Sequence, residues 1–473
     1  MDSIAAGPVA PITLSDDGVY VAQVNNKDLI VHLNPTSSEF RDVHVVKVKE
    51  NAPKFLKFSR ALHLSPGEIQ NEQVSVPRRL LYASDTRIQV WQLNPLQSLA
   101  EIEGIEPGAL NIDFGGDENE IIVFHAWNTK ITIYGLDTGR SQVIKAPKFA
   151  HGNGFGYRPK TREFAVLLKP DANDLLTLHN FRTYELINRA VLPTVDAQGL
   201  KWSPDGRWIV IWDAASAGTK VLIFTADGQL FRTYTGIPGT DASLDLGVRG
   251  LEWSPPSPAN GASEFLAIGK VDGSVEILTC KTNSPRIWRE RLVAADGNLE
   301  YADSSSSSAF NTIPEPSNPP RGVSTIAFSA DAQLIATIDQ TRPNIVWIWE
   351  LEPVAVLMSA LVHEHAVRQA LWHPSKIQLV VTTVNNTGAA VRSWSPYTQP
   401  SITRVPVPRN ETGRYDLRWI SLDRDDKQRF WLGSHDDYIL GFLDQEDGGL
   451  QFQSLHHINN KVPAGSYGAN TSR

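Results

Sequence analysis

Three short runs hold side chains whose types and spacing could do chemistry. His363-Glu364-His365 puts two imidazoles two residues apart, so on a strand both rings share one face. That is part of a metal site, but the sequence identifies no third ligand. Asp423-Arg424-Asp425-Asp426 resembles the start of a calcium loop, yet it lacks the following glycine and the distal glutamate. His435-Asp436-Asp437 fits a loop between strands, where aspartate serves turn geometry. Polar loops are the expectation for all three. No nucleophile elbow, phosphate-binding loop or dinucleotide fingerprint occurs. The expectation is a protein without catalysis, cofactor or bound metal.

The elements that would position these runs come from a repeat. Leu200-Lys201-Trp202 ends in Ser203-Pro204-Asp205-Gly206, and two β-branched runs follow, Ile209 to Trp212 and Val221 to Phe224. Proline presets φ at the first turn position, while Asp and Gly tolerate the next two. The position of Pro204 recurs at Asp16, Arg60, Gly116, Pro159, Pro255, Ala330, Pro374 and Arg424. Four of the eight steps are 43 to 45 residues, the length of a four-stranded propeller blade, and the others are longer. Two places earlier stand Leu14, Phe58, Phe114, Tyr157, Trp202, Trp253, Phe328, Trp372 and Leu422. Seven of these nine are aromatic in a chain that is only 9% aromatic, so chance is a poor explanation.

The predicted fold is all-β, a WD-repeat β-propeller of about nine units over 1–460. One large or distorted ring is preferred, and two smaller rings are the alternative, because nine exceeds the usual four to eight blades. The aromatic at the repeat phase should pack between blades. Closure should come from terminal strands sharing a blade, with 10–14 pairing to the C-terminal region. A polar insertion at 62–77 swells the turn of unit two. Residues 298–321, with five serines from Ser304 to Ser308 and Pro314, Pro316, Pro319 and Pro320, read as a disordered surface insert open to phosphorylation. Residues 461–473 read as a flexible tail.

Bulk properties narrow the partners. A net charge of −8 argues against nucleic acid as the main ligand, though it leaves room for a local basic patch. No 18-residue apolar run exists, so no membrane span is expected, and the N-terminal residues do not read as a signal peptide. Cys280 is the only cysteine, which fits a reducing compartment and makes the sequons at Asn385, Asn410 and Asn470 irrelevant. Binding is expected on loops between second and third strands and between blades, where a rigid scaffold presents variable segments. Trp127, in His125-Ala126-Trp127-Asn128, is a hot-spot candidate or a core residue. Lys270 and Asp272 border the unit-six loop, and Arg342 and Asn344 border the unit-seven loop. Each is a protein-binding candidate or an ordinary surface residue.

Certain segments go beyond a generic blade. Val210-Ile211-Trp212-Asp213, Lys220-Val221-Leu222-Ile223-Phe224 and Asp227-Gly228-Gln229-Leu230-Phe231-Arg232-Thr233-Tyr234 follow one another. Next come Leu246-Gly247-Val248-Arg249-Gly250-Leu251-Glu252-Trp253-Ser254-Pro255, Phe265-Leu266-Ala267-Ile268-Gly269 and Asp272-Gly273-Ser274-Val275. After the insert comes Pro343-Asn344-Ile345-Val346-Trp347-Ile348-Trp349. This order resembles the centrosomal and spindle-pole WD-repeat family known as Wrap or Wdr-eight proteins, most sharply over 195–351. The sequence departs from a strong WD pattern, with Gln92, Glu350 and Ser395 in the aspartate slot and Trp212-Asp213 one strand early. The resemblance implies a cytoplasmic, cytoskeletal adaptor at the centrosome or spindle pole body. Such an adaptor partners a coiled-coil anchoring protein, and in some cases a minus-end-directed kinesin, to anchor microtubule minus ends and organise the mitotic spindle. The alternative function is a substrate receptor of a ubiquitin ligase or other multiprotein complex.

Overall fold

The computed structural model describes residues 12–18, 20–25, 28–33, 41–48, 53–60, 78–237, 245–257, 261–279, 289–292, 301–302, 321–352, 355–384, 389–396, 398–406, 415–420, 429–434, 437–446 and 449–459. They form nine antiparallel sheets, and in each the four strands pair in chain order. A sheet of this kind has two apolar faces and too few residues to cover either, so it is stable only between neighbours. The first strands are Ile12–Leu14, Phe55–Phe58, Asn111–Phe114, Phe155–Tyr157, Gly199–Trp202, Val248–Trp253, Val323–Phe328, Val367–Trp372 and Asp416–Trp419. First strands of most successive blades touch one another, which places them around the axis. Fourth strands such as Leu186–Val191 are largely exposed and form the perimeter.

Nine apolar clusters fill nine blade-to-blade interfaces. Ala22, Leu29 and Val31 of blade one meet Leu80, Tyr82 and Trp91 of blade two, and the series continues to blades eight and nine. The ninth cluster joins Ile12 and Val21 of blade one to Ile420, Trp431, Leu440 and Ile458 of blade nine. One closed ring of nine blades results, and the two-ring alternative is set aside. The residue at the aromatic phase always faces the preceding blade. Phe114 packs in the cluster with blade two, Trp253 in that with blade five and Trp372 in that with blade seven. Two of these indoles also bridge the interface. Trp202 Nε1 donates to Gly156 O at 3.2 Å, and Trp372 Nε1 donates to Ala327 O at 2.8 Å.

Closure differs from the expected strand exchange. Among the described residues Ile12–Leu14 pairs only within blade one, against Val21 to Gln23. Blade nine builds all four of its strands from Asp416–Trp419, Arg429–Ser434, Asp437–Glu446 and Gly449–Asn459. The ring therefore closes by side-chain packing and a few cross-bonds. Trp431 Nε1 donates to Gly18 O at 3.0 Å and Arg418 Nη1 to Leu14 O at 2.8 Å. A second correction concerns the ninth repeat. Its first strand ends on Trp419, three residues before the position assigned to Leu422, so eight of the nine inner strands end in an aromatic.

Blade seven carries a fifth strand, Tyr301–Ala302, parallel to its outer strand Val356–Val362. The serines at 304–308, the whole insertion at 62–77 and the tail at 461–473 lie outside the described residues. No helix among the described residues is long and apolar enough to cross a membrane.

Candidate protein-binding face

A four-stranded meander alternates its connections between the two faces of the ring. Loops between second and third strands, and loops leading to the next blade, share one face. Turns after first and third strands share the other. All five candidate contact residues belong to the first of these faces, and the structure separates them by role.

Trp127 sits at the tip of the loop between Glu120–Phe124 and Lys130–Gly135 and is 90% exposed. The core-packing reading is thereby excluded. Its backbone is left-handed at φ 58°, and so is that of Asn128 at φ 52°. For a bulky residue this costs about 1–2 kcal/mol, so the surrounding structure must hold the loop in place. It does so on both sides. His125 is buried, with Nε2 2.8 Å from Thr132 Oγ1 and Nδ1 3.1 Å from Glu106 Oε2. Burial, and then the nearby Lys130 charge, lower the His125 pKa and favour the neutral ring. Asn128 Nδ2 donates to Lys148 O at 3.1 Å. Leu110, on the loop entering the same blade, donates its N–H to Phe124 O and keeps its side chain exposed. Val195 and Leu246, on the loops entering blades five and six, are also exposed on this face.

Lys270 is not a surface contact. It is 6% exposed, with Nζ 3.0 Å from Asp245 Oδ1 and 3.2 Å from Glu276 Oε1. Tyr234 Oη donates to the other Glu276 oxygen at 2.9 Å. Burial alone would lower the Lys270 pKa, but the two carboxylates outweigh it and raise it. Burial likewise pushes Asp245 up, yet the backbone and hydroxyl donors of Thr219, together with Lys270, hold it down at about 2. Asn344 is buried as well. Its Nδ2 donates to His363 O at 3.0 Å, and its own carbonyl accepts the His363 N–H at 2.9 Å. It ties the loop between blades seven and eight to blade seven. Asp272 and Arg342 remain exposed. Asp272 Oδ1 accepts the N–H of Ser274 at 2.9 Å, which is turn chemistry.

The possible ligand runs resolve in the same way. His363 is fully buried, and no group of three or more His, Cys, Asp or Glu among the described residues is placed to hold a metal. Residues 423–426, 435 and 436 lie outside the described residues, and Asp437 pairs with His457. Sequence reasoning missed the devices that fix the loops. Asp213, fully buried just after Trp208–Trp212, accepts the N–H groups of Val195 and Asp196, each at 2.8 Å, and of Ala214 at 2.9 Å. Asp174 accepts Ala197 N at 2.7 Å and pairs with Lys148 at 2.7 Å. The signal for Asp213 in the sequence is an aspartate just after a second strand, whereas Asp174 stands directly before a third strand, Leu175–His179.

No protein-family model matches the chain. The mouse WD repeat-containing protein WRAP73 is 26% identical over 347 residues, which is 65% of this chain and 71% of that protein. An uncharacterised WD repeat-containing protein of Schizosaccharomyces pombe is 24% identical over 282 residues, and that match spans only 55% of each chain. Among solved structures, Saccharomyces cerevisiae Sqt1 superposes with a TM-score of 0.49 at 13% identity, covering 76% of this chain and 91% of that one. Chaetomium thermophilum Sqt1, bound to the N-terminus of ribosomal protein L10, gives 0.44 at 12% identity over 77% and 90%. With its repeat and its nine sheets the chain is a WD-repeat β-propeller, and in sequence it is similar to WRAP73.

Proposed function

We propose that this propeller is a non-enzymatic adaptor at the centrosome or spindle pole body. It docks a coiled-coil anchoring protein on the face that carries Trp127, and through it helps anchor microtubule minus ends and organise the mitotic spindle. A minus-end-directed kinesin joins the same assembly. The relationship to WRAP73 and the resemblance of the segments over 195–351 support the setting. Trp127 supports the docking role. A large aromatic ring held outside the protein by a fixed, strained loop loses little freedom on binding and contributes much contact area.

Affinity purification of the tagged chain from dividing cells, followed by mass spectrometry, tests this reading. The expected result is a stoichiometric coiled-coil protein with the native chain and its loss with Trp127→Ala. Recovery of ubiquitin-ligase subunits, or of no partner, would overturn it.

A further inference from the structure

The first strands of blades two to five enclose a cavity of about 530 Å³ on the wall of the central channel. Its lining includes Lys57, Arg60, Asp113, Tyr157, Lys201 and Trp202. Most of its charge is already satisfied. Lys57 Nζ lies 2.8 Å from Asp113 Oδ2 and 2.9 Å from Asn111 Oδ1. Lys201 Nζ lies 2.6 Å from Glu252 Oε2 and 2.9 Å from Leu251 O. Arg60 is exposed and makes no hydrogen bond or ion pair among the described residues.

Two aromatic side chains of the mixed polar and apolar wall, Tyr157 and Trp202, are fixed. The Trp202 indole is tied to Gly156 O and lies 5.8 Å from the Arg158 guanidinium. Tyr157 Oη is 3.2 Å from Tyr184 Oη, which donates to the buried Glu120 at 2.6 Å. Gly156 keeps the space open, since a Cβ there would stand 3.1 Å from Trp202 Cδ1.

We propose that this cavity binds an acidic segment of a partner protein. One carboxylate pairs with Arg60, and the adjoining apolar side chain lies against Tyr157 and Trp202. A single free guanidinium matches a monoanion and offers a carboxylate two parallel hydrogen bonds. A phosphate monoester carries nearly two charges and would find Lys57 and Lys201 already neutralised by Asp113 and Glu252. Nucleic acid is disfavoured by the same carboxylates and by the net charge of −8. The aromatic walls are held before binding, so little ordering cost falls on the protein. Arg60 and Pro159 follow first strands directly, so they stand at the end of the channel opposite the Trp127 loop. The cavity is thus separate from the docking face proposed above.

Fluorescence anisotropy on the full chain tests the proposal with two labelled peptides, acetyl-Glu-Leu-Glu-Leu-Glu-amide and its Gln-Leu-Gln-Leu-Gln counterpart. The Glu peptide is expected to bind and the Gln peptide to bind at least about tenfold more weakly. Arg60→Gln should weaken the Glu peptide about ten- to hundredfold, the range for losing a hydrogen bond to a charged group. Gly156→Ala should weaken it too, and Trp127→Ala should leave it unchanged, which separates this site from the adaptor reading. Arg60→Gln is a surface change, so matching thermal unfolding confirms that the variant is folded. No binding of the Glu peptide, equal binding of both peptides, an unaffected Arg60→Gln variant, or displacement by inorganic phosphate would each overturn the proposal.

Discussion

Lys270 and Trp127 show two opposite fates of a side chain on one face. Lys270 is enclosed with Asp245 and Glu276, so Lys270→Met strands the buried Glu276 beside a partly buried Asp245 and should cost about 3–5 kcal/mol in urea unfolding. The same ion-pair set predicts a pH dependence. The folded pKa of Asp245 is about 2, below its ordinary 3.8, so its contribution is present above pH 3.8 and is lost as pH falls toward 2. In the Lys270→Met variant this acid limb should be shallower. Trp127 faces the other way. Trp127→Gly relieves a left-handed tryptophan, so stability should stay level or rise by up to about 1 kcal/mol while partner capture fails. A loss of stability in that variant would mean that the ring serves the fold. The sequence reading set Trp127 in a loop and Lys270 at the border of one, and Lys270 is the buried last residue of Phe265–Lys270. That reading could not tell Lys270 from Asp272, because two positions at the end of a strand separate a buried cation from an exposed turn residue. That choice depends on Asp245 arriving from the previous blade.

The turn after each first strand is the element that made the repeat visible. In blade five Ser203 Oγ donates to Asp205 Oδ1 at 2.5 Å and accepts the Trp208 N–H at 2.9 Å, with Gly206 at φ 74°. Blade one repeats this with Ser15, Asp17 and Gly18, and blade seven with Ser329, Asp331 and Ala332. Ala332 occupies the left-handed position at φ 59°, so Ala332→Gly should stabilise the protein by about 1 kcal/mol, readable as a shift in the urea midpoint. In blade eight His373 takes the serine position, and its Nδ1 accepts the N–H groups of Ser375 at 3.1 Å and Lys376 at 3.0 Å. Burial, then the Lys376 charge, lowers its pKa to about 4 from 6.5. The stability that the neutral ring provides is therefore complete above pH 6.5 and lost as pH falls to about 4. An NMR titration should find this low pKa, and His373→Ser should flatten the stability profile over that window. The turn chemistry also explains where the repeat was misread. The turn-like run Asp423-Arg424-Asp425-Asp426 set the ninth aromatic position at Leu422, three residues past Trp419, where the strand ends.

At the scale of the whole molecule, the blade count was legible because every interface needs the same apolar face, and that need repeats in the sequence. The manner of closure was not. Alternation along Ile12–Leu14 says that one face is buried, but not which strand lies beside it, and Trp431 is 417 residues beyond Leu14 along the chain. The seam between blades nine and one rests on Trp431, which is fully buried, and on Gly18, where a Cβ would stand 2.7 Å from Ile420 Cγ1. Trp431→Ala should cost about 3–5 kcal/mol, as for other large aromatic deletions from a core. Its particular mark should be opening at the seam, read as faster amide exchange in Ile12–Leu14 and Asp416–Trp419 than in blades four and five.

Because the described strands at the two ends of the ring meet by side-chain packing, synthesis and closure are ordered in time. Each new blade leaving the ribosome covers the one before it, so the growing protein is an arc with two uncovered faces. The Ile12 and Val21 face is the first to be made and the last to be covered. At about 5–20 residues per second, roughly 20–80 s pass before Trp431 is available. For that whole interval the nascent arc carries an adhesive apolar surface, and a second arc from a neighbouring ribosome could dock there in place of the ninth blade.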